Sequence, residues 1–145
     1  GNIMYMMALS LHLNKYGMKC CPIDNSLKVL GKKFTLHILR NMILLKQSRF
    51  SQFLESIEGI STKTLSIRLR EMEKDGLINR KVISTRPVQI EYSLTEKGKT
   101  LEPILELLAE FSMRYHPKII FKDGKQRDFE GVFGNKKGLS SVYKF

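Results

Sequence analysis

Along the first part of the chain, apolar side chains recur at helical spacing from residue 4 to about residue 16, and Gly17 supplies a stop. Pro22 opens a second periodic stretch. Leu27, Leu30, Phe34, Ile38, Leu39, Ile43 and Leu44 predict one or two helices interrupted near Gly31, and the pattern breaks at residues 46–48. Arg49 and Phe50 are predicted as a very short strand, and Ser51 as the N-cap of a short helix carrying Phe53, Leu54 and Ile57. Glu58 and Gly59 end that helix. Ser61 then caps a longer one that runs to about residue 74 or 75 and stops at Gly76, a residue suited to the left-handed C-terminal conformation. Two amphipathic helices joined by a short Gly-containing turn outline a helix-turn-helix.

Residues 77–83 and 88–94 are rich in β-formers, the second strictly alternating, and residues 84–87 between them carry Arg86 and Pro87. A hairpin with a basic tip follows. Placed directly after a helix-turn-helix, it predicts the winged-helix arrangement, in which the tip reaches DNA beside the groove occupied by the second helix. Thr95 is expected to cap one further helix carrying Leu101, Ile104, Leu105, Leu108 and Phe111, kinked at Pro103 because proline removes a backbone donor. Beyond Pro117 the composition changes: Gly124, Gly131, Gly134 and Gly138 punctuate a cationic tail. Asp123-Gly124 is a two-residue hairpin signal there, and a disordered tail is the competing reading. The expected fold is mainly α with a small β-hairpin wing (α+β), divided into an N-terminal helix (1–19), a winged helix-turn-helix with its C-terminal helix (20–115) and a basic tail (116–145).

Composition narrows what such a fold is for. The 145 residues suit one domain with an appended segment, and 42% apolar residues suffice for a small core. Lys and Arg outnumber Asp and Glu by 25 to 14, a net +11 that favours a polyanionic partner such as nucleic acid or an acidic membrane surface. No apolar run approaches the ~20 residues that span a bilayer, and residues 4–13 lack the basic leader and cleavage site of a signal peptide. A cytoplasmic location is expected. Cys20 and Cys21 are adjacent, which excludes a disulfide framework and leaves no thiolate spacing for a metal; His12, His37 and His116 are too scattered to help. Neither a metal site nor a cofactor is expected. No nucleophile elbow, phosphate-binding Gly loop or paired-carboxylate signature is present, so an enzyme is the weakest class.

The helix after Ser61 carries the candidate chemistry. At about 100° per residue, Leu65, Leu69 and Met72 share one edge, while Lys63, Ile67, Arg70 and Lys74 point the opposite way. Ser61, Thr62, Thr64 and Ser66 gather near the helix start, where backbone N–H groups and the dipole favour a phosphate. Lys63 and Arg70 suit guanine edges, Thr64 and Ser66 bases or phosphates, and Ile67 a thymine methyl. Thr62, Lys81, Arg86 and Gln89 are expected at the backbone or minor groove, with Arg49 and Ser51 as further phosphate contacts. A mixed charged face is most often merely solvated. Its position between a short helix and a basic-tipped hairpin, in a chain of this charge, favours DNA. Arg68 lies nearer the apolar edge, where a structural ion pair competes with a phosphate contact, and Glu58, Glu71 and Glu73 keep the basic footprint local.

An ordered series of residues carries a resemblance: Cys21-Pro22, Leu27, Leu30-Gly31, Lys33 to Leu36, Ile38-Leu39, Arg49-Phe50, Gly59 to Ser61, Leu65, Arg68-Leu69, Gly76 to Ile78, Tyr92 to Thr95 and Gly98. Together, over residues 21–111, these resemble the HxlR family of winged-helix regulators, prokaryotic dimers related in architecture to the MarR regulators. The chain departs from that pattern at Lys32, commonly Gly, at Phe34, usually Trp, and in everything after Tyr115. The resemblance implies a homodimeric transcription factor that binds a pseudo-palindromic operator on double-stranded DNA and dimerises through its terminal helices. The apolar stripes at 4–13 and 101–111 agree with that as surfaces beyond a single winged-helix core, and packing of part of both inside one subunit is the competing reading. Cys21 matches the family's N-terminal cysteine, which in some members senses oxidants or electrophiles; Cys20 beside it is an equal candidate. A nonspecific architectural nucleic-acid binder and a protein-interaction module are the other function classes carried forward.

Overall fold

The computed structural model describes residues 2–134. Its elements run α1 (Asn2–Lys15), α2 (Pro22–Leu30), α3 (Thr35–Leu44), α4 (Phe50–Ser56), α5 (Thr62–Lys74), β1 (Ile78–Thr85), β2 (Val88–Leu94), α6 (Glu96–Lys99), α7 (Glu102–Tyr115), α8 (Pro117–Ile120) and α9 (Phe129–Phe133). The break expected near Gly31 is real and separates α2 from α3. The core forms where α3, α4 and α5 meet the base of the hairpin: Ile38, Leu39, Phe53, Leu65, Met72 and Ile78 are almost fully shielded, and the Phe53 ring meets Tyr92 edge-on. Each such side chain contributes about 1.5–3 kcal/mol by leaving water.

A buried polar hub ties α3 to α4. Asn41 Nδ2 donates to Gln47 Oε1 at 3.0 Å and to Ser56 Oγ at 2.8 Å, and its Oδ1 accepts from Arg40 Nε at 2.9 Å. These bonds hold the connection into α4 against the core.

The strand expected at Arg49 and Phe50 reduces to a single bond, from the Tyr92 N–H to the Ser48 carbonyl at 2.8 Å. Arg49 is instead the extended N-cap of α4, and Gln52 Oε1 accepts from the backbone N–H groups of Ser48 and Arg49. Ser51 therefore sits inside the first turn, not at the cap. At α5 the sequence reading holds: the Thr64 N–H donates to Ser61 Oγ at 3.1 Å, and Gly76 follows the helix with φ +75°. That conformation suits a residue without Cβ.

The hairpin is antiparallel, with Ile78 opposite Leu94 and Arg80 opposite Tyr92, a bulge at Ile83, and a tip at Arg86-Pro87, whose peptide bond is cis. Its base is latched to the end of α5. The Thr95 hydroxyl donates to the Gly76 carbonyl at 2.6 Å, Lys97 Nζ donates to the Asp75 carbonyl at 2.7 Å, and the Thr95 N–H donates to Leu77. Thr95 also caps α6, and the helix expected to continue from it is in fact broken. Pro103 occupies the first turn of α7, where a missing N–H is tolerated, so it starts a helix rather than kinking one.

The expected hairpin around Asp123-Gly124 is absent from the described residues, which carry α8 and α9 there instead. The turn is held locally. Arg127 pairs through both guanidinium nitrogens with Asp123 and stacks over Phe121, Gln126 Nε2 donates to the Arg114 carbonyl at 2.7 Å, and Asp128 caps α9. Phe129 is buried and α9 lies against α7. Residues 135–145, the remainder of the expected tail, lie outside the described residues.

Candidate nucleic-acid interface

Helix α5 presents the two faces its periodicity demands. Leu65, Leu69 and Met72 are buried, whereas Thr62, Lys63, Ile67 and Arg70 are exposed and Thr64 and Ser66 half-buried. Ile67 keeps 36% of its surface in water on a helix whose opposite edge is buried. Ser61 and Thr64 are partly occupied by each other: the Ser61 hydroxyl donates to Thr64 Oγ1 at 3.0 Å while accepting from the Thr64 N–H. Their first duty is the cap.

Arg68 is pinned. Its Nε donates to the Lys33 carbonyl at 2.8 Å and one terminal nitrogen meets Glu71 Oε2 at 3.1 Å, while Lys32 Nζ reaches the same carboxylate oxygen at 3.2 Å. Partial burial alone would raise the Glu71 carboxyl, but the contacts with Lys32 and Arg68 outweigh it and hold it below its ordinary value. This clasp binds the α2–α3 turn to α5 and commits Arg68 and Lys32 to one carboxylate. Of the two roles weighed for Arg68 in the sequence, the structural one is built.

Around α5 stand the remaining candidates. Arg49 is half-buried, one guanidinium nitrogen lying 3.5 Å from the Ile90 carbonyl, while Ser51 is exposed in the first turn of α4. Lys81, Arg86 and Gln89 are exposed on the hairpin: Lys81 directly opposite Glu91, Gln89 opposite Ser84, and Arg86 at the tip. Cys20 is exposed and Cys21 is half-buried as the N-cap of α2, remote in sequence from this surface. Among the described residues no group of three or more His, Cys, Asp or Glu gathers to hold a metal, and no helix is long and apolar enough to cross a membrane.

One further cation, outside the expected set, stands beside α5. A cleft separates α5 from the hairpin, with Leu69 and Tyr92 at its base, Ser66, Arg70 and Glu73 on the helix side, and Arg80 on the strand side. The signal for Arg80 was in the alternation. It follows Ile78 on the inner face of β1, the face opposite the one that carries Lys81.

Comparisons with known proteins converge on this geometry. Residues 29–119 match the family model described as HxlR-like helix-turn-helix. The HTH-type transcriptional regulator YdeP of Bacillus subtilis is 36% identical over 99 residues, covering 68% of this chain and 77% of that protein. Among solved structures, the redox regulator HypR in its oxidized form superposes with a TM-score of 0.58 at 38% identity, over 63% of this chain and 94% of that one. The reduced form of the transcriptional regulator YodB from B. subtilis does so with a TM-score of 0.56 at 29% identity, over 70% and 98% respectively.

Proposed function

The chain belongs to the HxlR family of winged helix-turn-helix transcriptional regulators, and from that premise we propose that it binds a pseudo-palindromic operator as a homodimer. Lys63, Thr64, Ser66, Ile67 and Arg70 enter the major groove, with Ser61 and Thr62 at the helix start. Arg49, Ser51, Lys81, Arg86 and Gln89 hold the phosphate backbone or the minor groove. The observation that carries this reading is the outward face of α5, cationic and hydroxylated with an exposed isoleucine, next to a hairpin tipped by Arg86. Such a face matches base edges and thymine methyls.

Dimerisation is supported by apolar surface that one chain leaves in water. Ile3, Met4, Met7 and Leu11 of α1 and Leu107, Leu108 and Phe111 of α7 are exposed, and an apolar groove runs between α2 and α7 past Ile23, Leu27 and Ile104. A symmetric pair of winged helices gains affinity because the second half-site binds at high effective concentration. We place this activity in the cytoplasm, with the DNA.

Fluorescence anisotropy at matched salt tests it, comparing a promoter duplex from the protein's own locus with a random duplex. Preference for the promoter, lost in Lys63→Ala and Arg70→Ala, is expected. Equal affinity would favour the nonspecific architectural binder, and no binding at low salt the protein-interaction module.

A second reading concerns control. HypR, 38% identical, is named a redox regulator, and this chain places exposed Cys20 beside Cys21 at the start of α2. On that basis we assign thiol-dependent tuning of DNA affinity to this pair. Identical operator affinity with and without peroxide or a quinone would remove it.

A further inference from the structure

We propose that the cleft between α5 and the hairpin is a seat for one phosphate of the DNA backbone, held by Arg80 from the hairpin side, with the groove-facing Arg70 forming the opposite wall. The inference rests on the reading of α5 as the recognition helix and adds to it a residue and a ligand atom.

Three observations lead there. First, Arg70 and Arg80 line one cleft, and neither makes an ion pair among the described residues, although Glu73 lines the same cleft. The contrast with Arg68 and Arg127, both committed to carboxylates, is sharp. Two like charges facing one cleft repel unless an anion enters, and a guanidinium fork matches phosphate oxygens.

Second, Arg80 stands on the inner face of the hairpin at a position that packing leaves open to solvent. The inner face of β1 begins with buried Ile78, Arg80 comes next, directly opposite buried Tyr92, and Val82 follows opposite Ile90. Nothing in the core requires a cation there. Its side chain leans into the cleft above Leu69 and Tyr92, and Ser66 supplies a hydroxyl from the facing helix.

Third, the geometry of the duplex demands something at this place. When a helix fills the major groove and a hairpin tip lies along the neighbouring minor groove, a single sugar-phosphate strand separates the two. That strand must cross the interval between helix and hairpin. In this protein the interval is the cleft walled by the two arginines. Glu73 at its edge weakens the seat and keeps nonspecific affinity down.

The test uses Arg80→Gln and Arg80→Lys in the full chain, with the promoter and random duplexes measured from 50 to 200 mM salt. Arg80 is solvent-exposed, so both variants should keep the wild-type urea midpoint. Arg80→Gln is expected to weaken both duplexes by the same factor and to reduce the log–log salt slope by about 0.9, so that its deficit shrinks about 3.5-fold across that salt range. Arg80→Lys restores the slope, since a phosphate needs only a charge, and Glu73→Gln tightens both duplexes.

If the wild type prefers the promoter while Arg80→Gln leaves the slope unchanged, the seat is wrong and the regulator reading stands. Loss confined to the promoter duplex, not rescued by lysine, would likewise overturn the seat by making Arg80 a base reader. A wild type that binds no duplex overturns both.

Discussion

Replacing Arg68 with alanine separates a structural cation from a DNA-binding one. The guanidinium is mostly shielded, with 19% of the side chain exposed, and makes a charge-assisted bond to the Lys33 carbonyl together with an ion pair to Glu71. Hydrogen bonds from charged groups contribute about 1.5 kcal/mol or more, and the partly exposed ion pair adds ~0.5 kcal/mol. Arg68→Ala should therefore cost about 2 kcal/mol of stability. With a urea dependence of roughly 1.5–2 kcal/mol per molar for a chain of this size, the unfolding midpoint falls by about 1 M. Lys32 keeps Glu71 paired at 3.2 Å, so no carboxylate is stranded to enlarge the loss. Circular dichroism at 222 nm against urea reads the effect, and anisotropy under native conditions reads the DNA side: operator binding should retain its full salt slope. Unchanged stability together with a slope reduced by about 1 would show that Arg68 contacts a phosphate and that the clasp is incidental.

Other perturbations follow from the same geometry. Asn41→Ala removes three side-chain hydrogen bonds from a position without solvent access and should cost about 2–3 kcal/mol in urea unfolding; a loss below ~0.5 kcal/mol would mean that water replaces the hub. A Cβ at Gly98 would sit 2.1 Å from the Leu77 carbonyl oxygen, so Gly98→Ala must move α6 or the base of the hairpin. It should lower the melting temperature and weaken DNA binding together, and a wild-type melt would refute the close approach. Hydrogen bonds from Arg127, then from the Lys125 backbone, pull the Asp123 carboxyl down from its ordinary 3.8 to about 2. A depressed carboxyl stabilises the fold above pH 3.8, and that contribution is lost as pH falls toward 2. A carbon-13 carboxyl titration should find the low midpoint, and Arg127→Ala should return it toward 3.8.

What the sequence made legible follows from how local each signal is. Ser61, the spacing of Leu65, Leu69 and Met72, and Gly76 act within one helix, so α5 and its outward face could be read directly. The alternation of residues 88–94 worked equally well for β2. Pro103 misled because proline is equally at home in a first turn, and only the break at Thr100 and Leu101 decides between a kink and a start. Asp123-Gly124 does make a turn, but Pro117 begins a helix on one side and Asp128 caps another on the other, so no strands flank it. Arg49 was misplaced because its capping depends on Gln52 and on a bond from Tyr92, which is far away in sequence. Arg80 escaped for a related reason: a cation on a hairpin is unremarkable until the facing wall of α5 is seen.

Hydroxyl-radical footprinting of the purified protein on a promoter fragment from its own locus tests the central claim most directly. Two protected half-sites, one helical turn of about 10 base pairs apart or a multiple of it, are expected, and the Lys63→Ala, Arg70→Ala double variant should abolish them. Continuous protection without half-sites, or a footprint that survives the double variant, would contradict the assignment of α5 as the helix that reads DNA.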